Sequence, residues 1–185
     1  MPRSGEAVRR RLQEAALALY CEHGYDTITA AEIAAVAGVT ERTFFRHFPD
    51  KREVLFAGQD ILRAELAQAI AEVPDATAPL TVLGQAFLAM KPILETNRPF
   101  TEPRAKIIAA TPALRERQLA KIESLQETAA EALAARGIPH RQAVLAAQIG
   151  VAAFGLALQE WTPNPAADLE PLLNEAFDDL RNAVR

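Results

Sequence analysis

The chain has 185 residues, half of them hydrophobic and only 6% aromatic, with a formal net charge of −4. This much apolar material supports a compact domain or a small head joined to a larger body, and it sets disorder aside. The acidic balance excludes a protein that coats nucleic acid by bulk charge, while a local basic face stays open.

The apolar set is rich in Ala and Leu, which favours helices over strands. Cys21 is the single cysteine, so neither an intramolecular disulfide nor a cysteine-based zinc site can form, and His23, His47 and His140 lack ligand spacing. No metal and no cofactor is expected. The N-terminal run MPRSGEAVRRRLQEA has no apolar stretch of the signal-peptide kind, so a reducing, cytoplasmic setting is expected. Residues 142–159 carry no charge and approach the length of a short membrane span. Their glutamines, glycines and alanines instead suggest a helix buried in protein, and no membrane partner is expected.

In chain order, Val8, Leu12, Ala15, Ala16, Leu19 and Tyr20 recur at helical spacing and predict a first helix ending at Gly24. Thr29 followed by Glu32 forms a capping box that opens a second helix, running to about Ala37. Gly38 makes a turn, and Thr40 caps a third helix through about His47. Asp50 and Glu53 repeat the capping arrangement for a fourth helix that carries Val54, Leu55, Ile61, Leu62, Leu66 and Ile70. After a linker over residues 73–79, a fifth helix spans about 80–96 with a kink at Pro92. Prolines 99, 103 and 112 bound a short sixth helix near 102–110. A seventh helix spans about 113–136, an eighth 141–161 and a ninth 168–184. The pattern is that of an all-α protein.

Residues 1–58 hold eight bases and eight acids, so the N-terminal part is neutral and the remainder carries the net negative charge. Bases gathered at both ends of this segment suit phosphate contact on one face, and they equally suit solvated helix surfaces. Arg9, Arg10 and Arg11 are open between those roles.

A helix-turn-helix that reads DNA needs two helices held at a fixed angle by a tight turn. Ile33, Ala37, Val39 and Phe44 fill the apolar offsets, Ala34 is the small contact residue, and Gly38 is free to take positive φ. These features occur together over residues 29–47, with caps at Thr29 and Thr40. An ordinary helical hairpin would show some of them.

The run GYDTITAAEIAAVAGVTERTFFRHFPDKREVL, residues 24–55, resembles the signature segment of the tetracycline-repressor (TetR) family. The resemblance implies a three-helix DNA-binding head over residues 1–50 and a helical body over 51–185 for effector binding and dimerisation. It implies that Thr29 and Thr40 hold phosphate at helix starts, and that Glu41, Arg42 and Thr43 face base edges. Arg46 and His47 match positions touching backbone or flanking bases, and Lys51 matches the family's phosphate-binding lysine. Phe45 stands where relatives often have Tyr. It therefore lacks a hydroxyl for phosphate, or packs on a sugar or thymine methyl. The implied partners are a double-stranded DNA operator, a small-molecule effector, and a second copy joined through the last two helices.

In the body, Phe87, Met90, Leu94, Ile107, Leu119 and Ile122 are core residues or, by the same resemblance, part of an apolar effector pocket. Lys91, Arg98, Arg104, Glu123 and Gln148 are polar residues placed to orient a ligand. The segment from RPFTEPRAKIIAATPALRERQ to ALAARG, with Trp161, is similar to regulators that sense acyl-CoA-like compounds. An enzyme is disfavoured: Ser4 and Ser124 have no local His or acid partner, and no phosphate loop or HExxH motif is present. An all-helical interaction module would explain the amphipathic helices but not the caps and turn of the head.

Overall fold

The computed structural model describes residues 3–74 and 78–183, with side chains from Gly5 onward. Residues 75–77 of the expected linker and Val184 lie outside the described residues. All the regular elements described are helical. They are α1 (Arg3–His23), α2 (Ala30–Val36), α3 (Glu41–His47), a 3-10 turn (Glu53–Phe56), α4 (Gln59–Glu72), α5 (Pro79–Ala89), α6 (Lys91–Ala110), α7 (Pro112–Ala135), α8 (His140–Trp161) and α9 (Leu169–Ala183).

The chain forms two compact units, and neither is a simple cut at residue 50. The first holds Met1–Gln59 together with Phe100–Arg117, and the second holds Asp60–Pro99 together with Gln118–Arg185. Helices α6 and α7 therefore each contribute residues to both units.

Two helix boundaries differ from expectation. The fourth helix does not start at Asp50, although the Asp50 carboxylate does accept from the Arg52 and Glu53 amides at 2.7 and 3.0 Å. A 3-10 turn follows instead, and Gly58 at φ +85° breaks the chain before α4 begins. A non-glycine residue rarely takes that conformation. The second difference is α6, which runs unbroken through Pro92, Pro99 and Pro103. Pro92 lies in its first turn, where the missing N–H has no helical partner to lose. Pro99 and Pro103 leave the carbonyls of Glu95 and Pro99 without a helical donor. Both of those residues are exposed, so water can satisfy them.

The core of the first unit joins Leu12, Ala16 and Tyr20 of α1 to Ile33, Phe44, Phe48 and Phe56. Ile107, Ile108 and Leu114 from the α6–α7 region complete it. Phe44 is fully buried, and burial of such a side chain contributes about 1.5–3 kcal/mol.

The second unit is built around α8, which packs against α5 and α9. Phe87 of α5 stacks on Phe154 of α8 with ring centroids 4.1 Å apart. Gly150 lets the two helices approach, because a Cβ there would lie 2.6 Å from Leu83 Cδ1. Helix α8 has the length and apolarity of a membrane span. Ala143, Ala147, Val151, Phe154, Ala157 and Trp161 are nevertheless buried in protein. Leu145 and Leu156 on its other side are exposed.

Candidate nucleic-acid interface

The α2–α3 unit has the expected local geometry. The Thr29 backbone N–H donates to Glu32 Oε2 at 2.8 Å, and the Glu32 N–H donates back to Thr29 Oγ1 at 3.2 Å. Hydrogen bonds donated to the Glu32 carboxylate by the Thr29 hydroxyl first and then by the Thr29 backbone N–H hold it below the usual carboxylate range. Gly38 takes φ +68°, and the Val39 amide bonds the Ala34 carbonyl at 2.9 Å to close the turn. Thr40 Oγ1 accepts from the Thr43 amide at 3.2 Å and lies 3.0 Å from the Thr43 hydroxyl. Ile33, Ala34 and Phe44 face the core.

This leaves Glu41, Arg42, Phe45 and Arg46 exposed on α3. Arg42 and Arg46 have no carboxylate partner among the described residues. Phe45 is 51% exposed, an unusual place for a large ring, with its edge against Phe44. Nearby, the Arg9 guanidinium lies 4.9 Å from the Phe48 ring centroid. Arg10 is paired with Glu14 at 3.0 Å. The three consecutive arginines thus occupy different settings: Arg9 lies at the end of α3, Arg10 is paired along α1, and Arg11 Nη1 lies near Gly38 in the α2–α3 turn, 3.8 Å from where a Cβ would stand.

Three expected phosphate or backbone ligands are placed differently. The Thr29 hydroxyl donates to Glu32 Oε2 at 2.7 Å, so it acts as a cap. His47 Nε2 is buried with no hydrogen-bond partner among the described residues. Burial first, then the charges of Arg46 and Arg9, pushes the His47 pKa down. Lys51 Nζ donates to the carbonyls of Tyr25 and Ile28 at 2.8 Å each and to that of Asp26 at 3.3 Å. It also lies 4.4 Å from the Tyr25 ring centroid. An ammonium has three hydrogens, and all three are occupied within the head. Tyr20 completes the clamp by donating to the Lys51 carbonyl at 2.8 Å. The sequence pattern marks Lys51 but not this use, because the acceptors are backbone atoms some 25 residues away.

The residues expected to line an effector pocket fall into several settings. Phe87 and Met90 are buried in the second unit's core, and Leu94 and Ile122 pack against it. Ile107 belongs to the first unit's core. Leu119, at 67% exposure, and Gln148 are exposed and line neither core. Lys91 is ion-paired with Asp168 at 2.6 Å, with Glu95 and Glu170 just under 4 Å away. Arg98 donates to the carbonyls of Trp161, Asn164 and Ala167 and lies over the Trp161 ring at 4.2 Å. Lys91 and Arg98 therefore pin the α8–α9 connection. The pattern missed this because carbonyl acceptors leave no trace in side-chain spacing.

A head of three helices with a capped, tightly turned second pair defines the class of helix-turn-helix regulators. The profile described as "Bacterial regulatory proteins, tetR family" matches residues 12–57. The profile described as "MftR C-terminal domain" matches residues 77–185. The chain belongs to the TetR family of transcriptional regulators, with a C-terminal domain of the MftR type, and is not an enzyme.

Similar proteins include one from Mycobacterium tuberculosis named as the mycofactocin biosynthesis transcriptional regulator MftR. The two are 23% identical over 96% of this chain and 94% of that one. The transcriptional regulator TcmR of Streptomyces glaucescens is 27% identical over 96% of this chain and 82% of its own. Among solved structures, a TetR-family regulator from Mesorhizobium loti shares the fold with a TM-score of 0.61 at 21% identity, covering 97% of both chains. Thermus thermophilus FadR, solved with lauroyl-CoA, has a TM-score of 0.54 at 26% identity over 92% of this chain and 91% of its own.

Proposed function

We propose that this regulator is a repressor that binds a palindromic operator as a homodimer and is released by a small apolar or amphipathic effector. The observation that carries the reading is the α3 surface, where Glu41, Arg42, Phe45 and Arg46 are exposed on a helix locked by the Thr29 and Thr40 caps. A two-fold dimer sets a pair of such helices about 34–36 Å apart, one turn of B-DNA. The exposed Leu145 and Leu156 on α8 support pairing through the last two helices. Thr43 faces bases less freely than its neighbours, because its hydroxyl lies against Thr40. The working site is the cytoplasm, where the operator is.

The effector reading draws on the apolar body and on FadR's lauroyl-CoA, so an acyl-CoA-like compound is the first candidate. A ligand releases DNA only by binding the non-DNA conformation more tightly. The test is a gel shift with the protein's own upstream region across several salt concentrations, with and without an acyl-CoA chain-length series, alongside light scattering for mass. Dimeric mass and specific binding weakened by one chain length are expected. Specific binding by a monomer removes the dimer, and binding unchanged across the whole series removes the acyl-CoA effector.

A further inference from the structure

Helix α8 lies wholly in the second unit, and it carries no charge between Arg141 and Glu160. Those two end residues are exposed, and neither has an ion pair or hydrogen bond from its side chain among the described residues. The neighbouring α9 is of the opposite character. Its Glu170, Glu175, Asp178 and Asp179 are all exposed, so two copies meeting through α9 alone would set acid against acid.

The exposed strip of α8 has the same pattern from either end, with the sign of charge reversed. Counting outwards from the peptide between Gly150 and Val151, half-buried Ile149 answers exposed Ala152, Leu145 answers Leu156, and Arg141 answers Glu160. Gln142 and Gln159 match in the same way, and Gln148 flanks the strip. Steps of three and four residues keep these positions on one side of the helix. Leu145 and Leu156 are the large apolar side chains that α8 leaves exposed. Such a strip suits an isologous contact, because a two-fold axis sets residue i of one chain on j of the other and j on i.

We propose that two copies of this chain pair α8 on α8, antiparallel, with the two-fold axis beside the Gly150–Val151 peptide. Each Leu145 then meets the partner's Leu156, and each Arg141 comes to the helix end that carries the partner's Glu160. This rests on the reading that the regulator is a homodimer, and it adds the register and the residues that choose it. A parallel pair would set Arg141 on Arg141 and Glu160 on Glu160. A slip of about one helical turn sets Glu160 on the partner's Leu145, or Arg141 on the partner's Leu156, according to its direction. Both alternatives desolvate or oppose a charge, so the end charges act by excluding wrong pairings more than by adding affinity. Ala152, small and near the axis, lets the helices approach closely.

The test uses the full chain and reads the dimer dissociation constant by sedimentation equilibrium over a dilution series. Arg141→Glu and Glu160→Arg should each weaken self-association about tenfold, since each dimer exchanges two attractive pairs for two repulsive ones. The double variant should return to within about threefold of wild type. An equimolar mixture of the two single variants should form the heterodimer in excess of either homodimer, because its charges match at both ends. Native mass spectrometry reads that excess. Disulfide cross-linking in a Cys21→Ser background reads the register independently of charge. Leu145→Cys chains mixed with Leu156→Cys chains should cross-link. Neither should cross-link alone, because like positions would stand about 16 Å apart along the helices, beyond the reach of a disulfide.

A wild type that stays monomeric at every concentration removes the homodimer and the register together. Other results overturn the register alone and leave the homodimer standing. They are a dimer indifferent to both charge reversals, a double variant as weak as the singles, a cysteine mixture that stays reduced, or Leu145→Cys chains that cross-link with themselves.

Discussion

Replacing Lys51 with Met separates two roles that sequence resemblance joins. The change removes two hydrogen bonds of 2.8 Å and a longer one of 3.3 Å to the carbonyls of Tyr25, Ile28 and Asp26, together with the contact over the Tyr25 ring. Bonds from a charged donor contribute about 1.5–3 kcal/mol each, and an exposed cation–π contact about 0.5–1 kcal/mol. Lys51 is half-buried, so water re-solvates part of what is lost. The net destabilisation should be about 2–4 kcal/mol, which lowers Tm by roughly 4–16 °C for a chain of this size. Urea unfolding followed by circular dichroism reads this term. Fluorescence anisotropy of operator binding across a salt series reads the other, because each phosphate contact adds about 0.9 to the slope of log K against log salt. The clamp predicts a lower Tm with an unchanged slope. A slope that falls by about 0.9 or more with Tm intact would refute the clamp and restore Lys51 as a phosphate ligand.

Phe45→Tyr should tighten operator binding slightly, by about 0.5–1.5 kcal/mol, through one added hydrogen bond to phosphate. A large loss of affinity would mean that the ring occupies an apolar site on the DNA. The lowered His47 pKa gives stability that is full above the ordinary histidine value, because the unfolded chain takes up the proton more readily than the folded one. Stability should therefore fall as pH drops below about 6.5 and be lost through the lower folded value. The lowered carboxyls of Glu32 and Asp168 titrate further down. A His47→Gln variant should flatten the Tm profile between about pH 7 and 5, and an unchanged profile rules the imidazole out as its source. Gly150→Ala drives a methyl into Leu83, which is fully buried and has little room to turn. It should cost about 1–3 kcal/mol, and a loss below roughly 0.5 kcal/mol in thermal unfolding would show that α5 and α8 separate freely.

The reading unit was legible because its determinants are local. Thr29 with Glu32, Gly38, and Thr40 with Thr43 all act within three or four residues of one another. Spacing in the sequence therefore maps directly onto hydrogen bonds in the structure. The long body helices were legible for the same reason, since α7, α8 and α9 begin and end within a residue or two of their pattern. Proline misled the reading of α6. The ring permits helical φ, and burial of Ile107 and Ile108 holds together a helix that propensity alone would divide. The polar side chains of the body were the least legible. Lys91 and Arg98 look like ligand-orienting charges in sequence, but their partners lie on a connection about 65–80 residues later. Arg104 looks the same in sequence and has no such partner among the described residues.

The division of the fold has a practical consequence for building sensors. The matched helix-turn-helix segment stops at residue 57, yet the hydrophobic core beneath it also needs Ile107, Ile108 and Leu114, and Arg117 bonds Glu53 at 2.8 Å. A chimera that grafts this operator specificity onto a foreign sensory body at residue 57 would inherit an unfinished core. The transplant that keeps the core whole has three seams in place of one, carrying Phe100–Arg117 along with the N-terminal stretch.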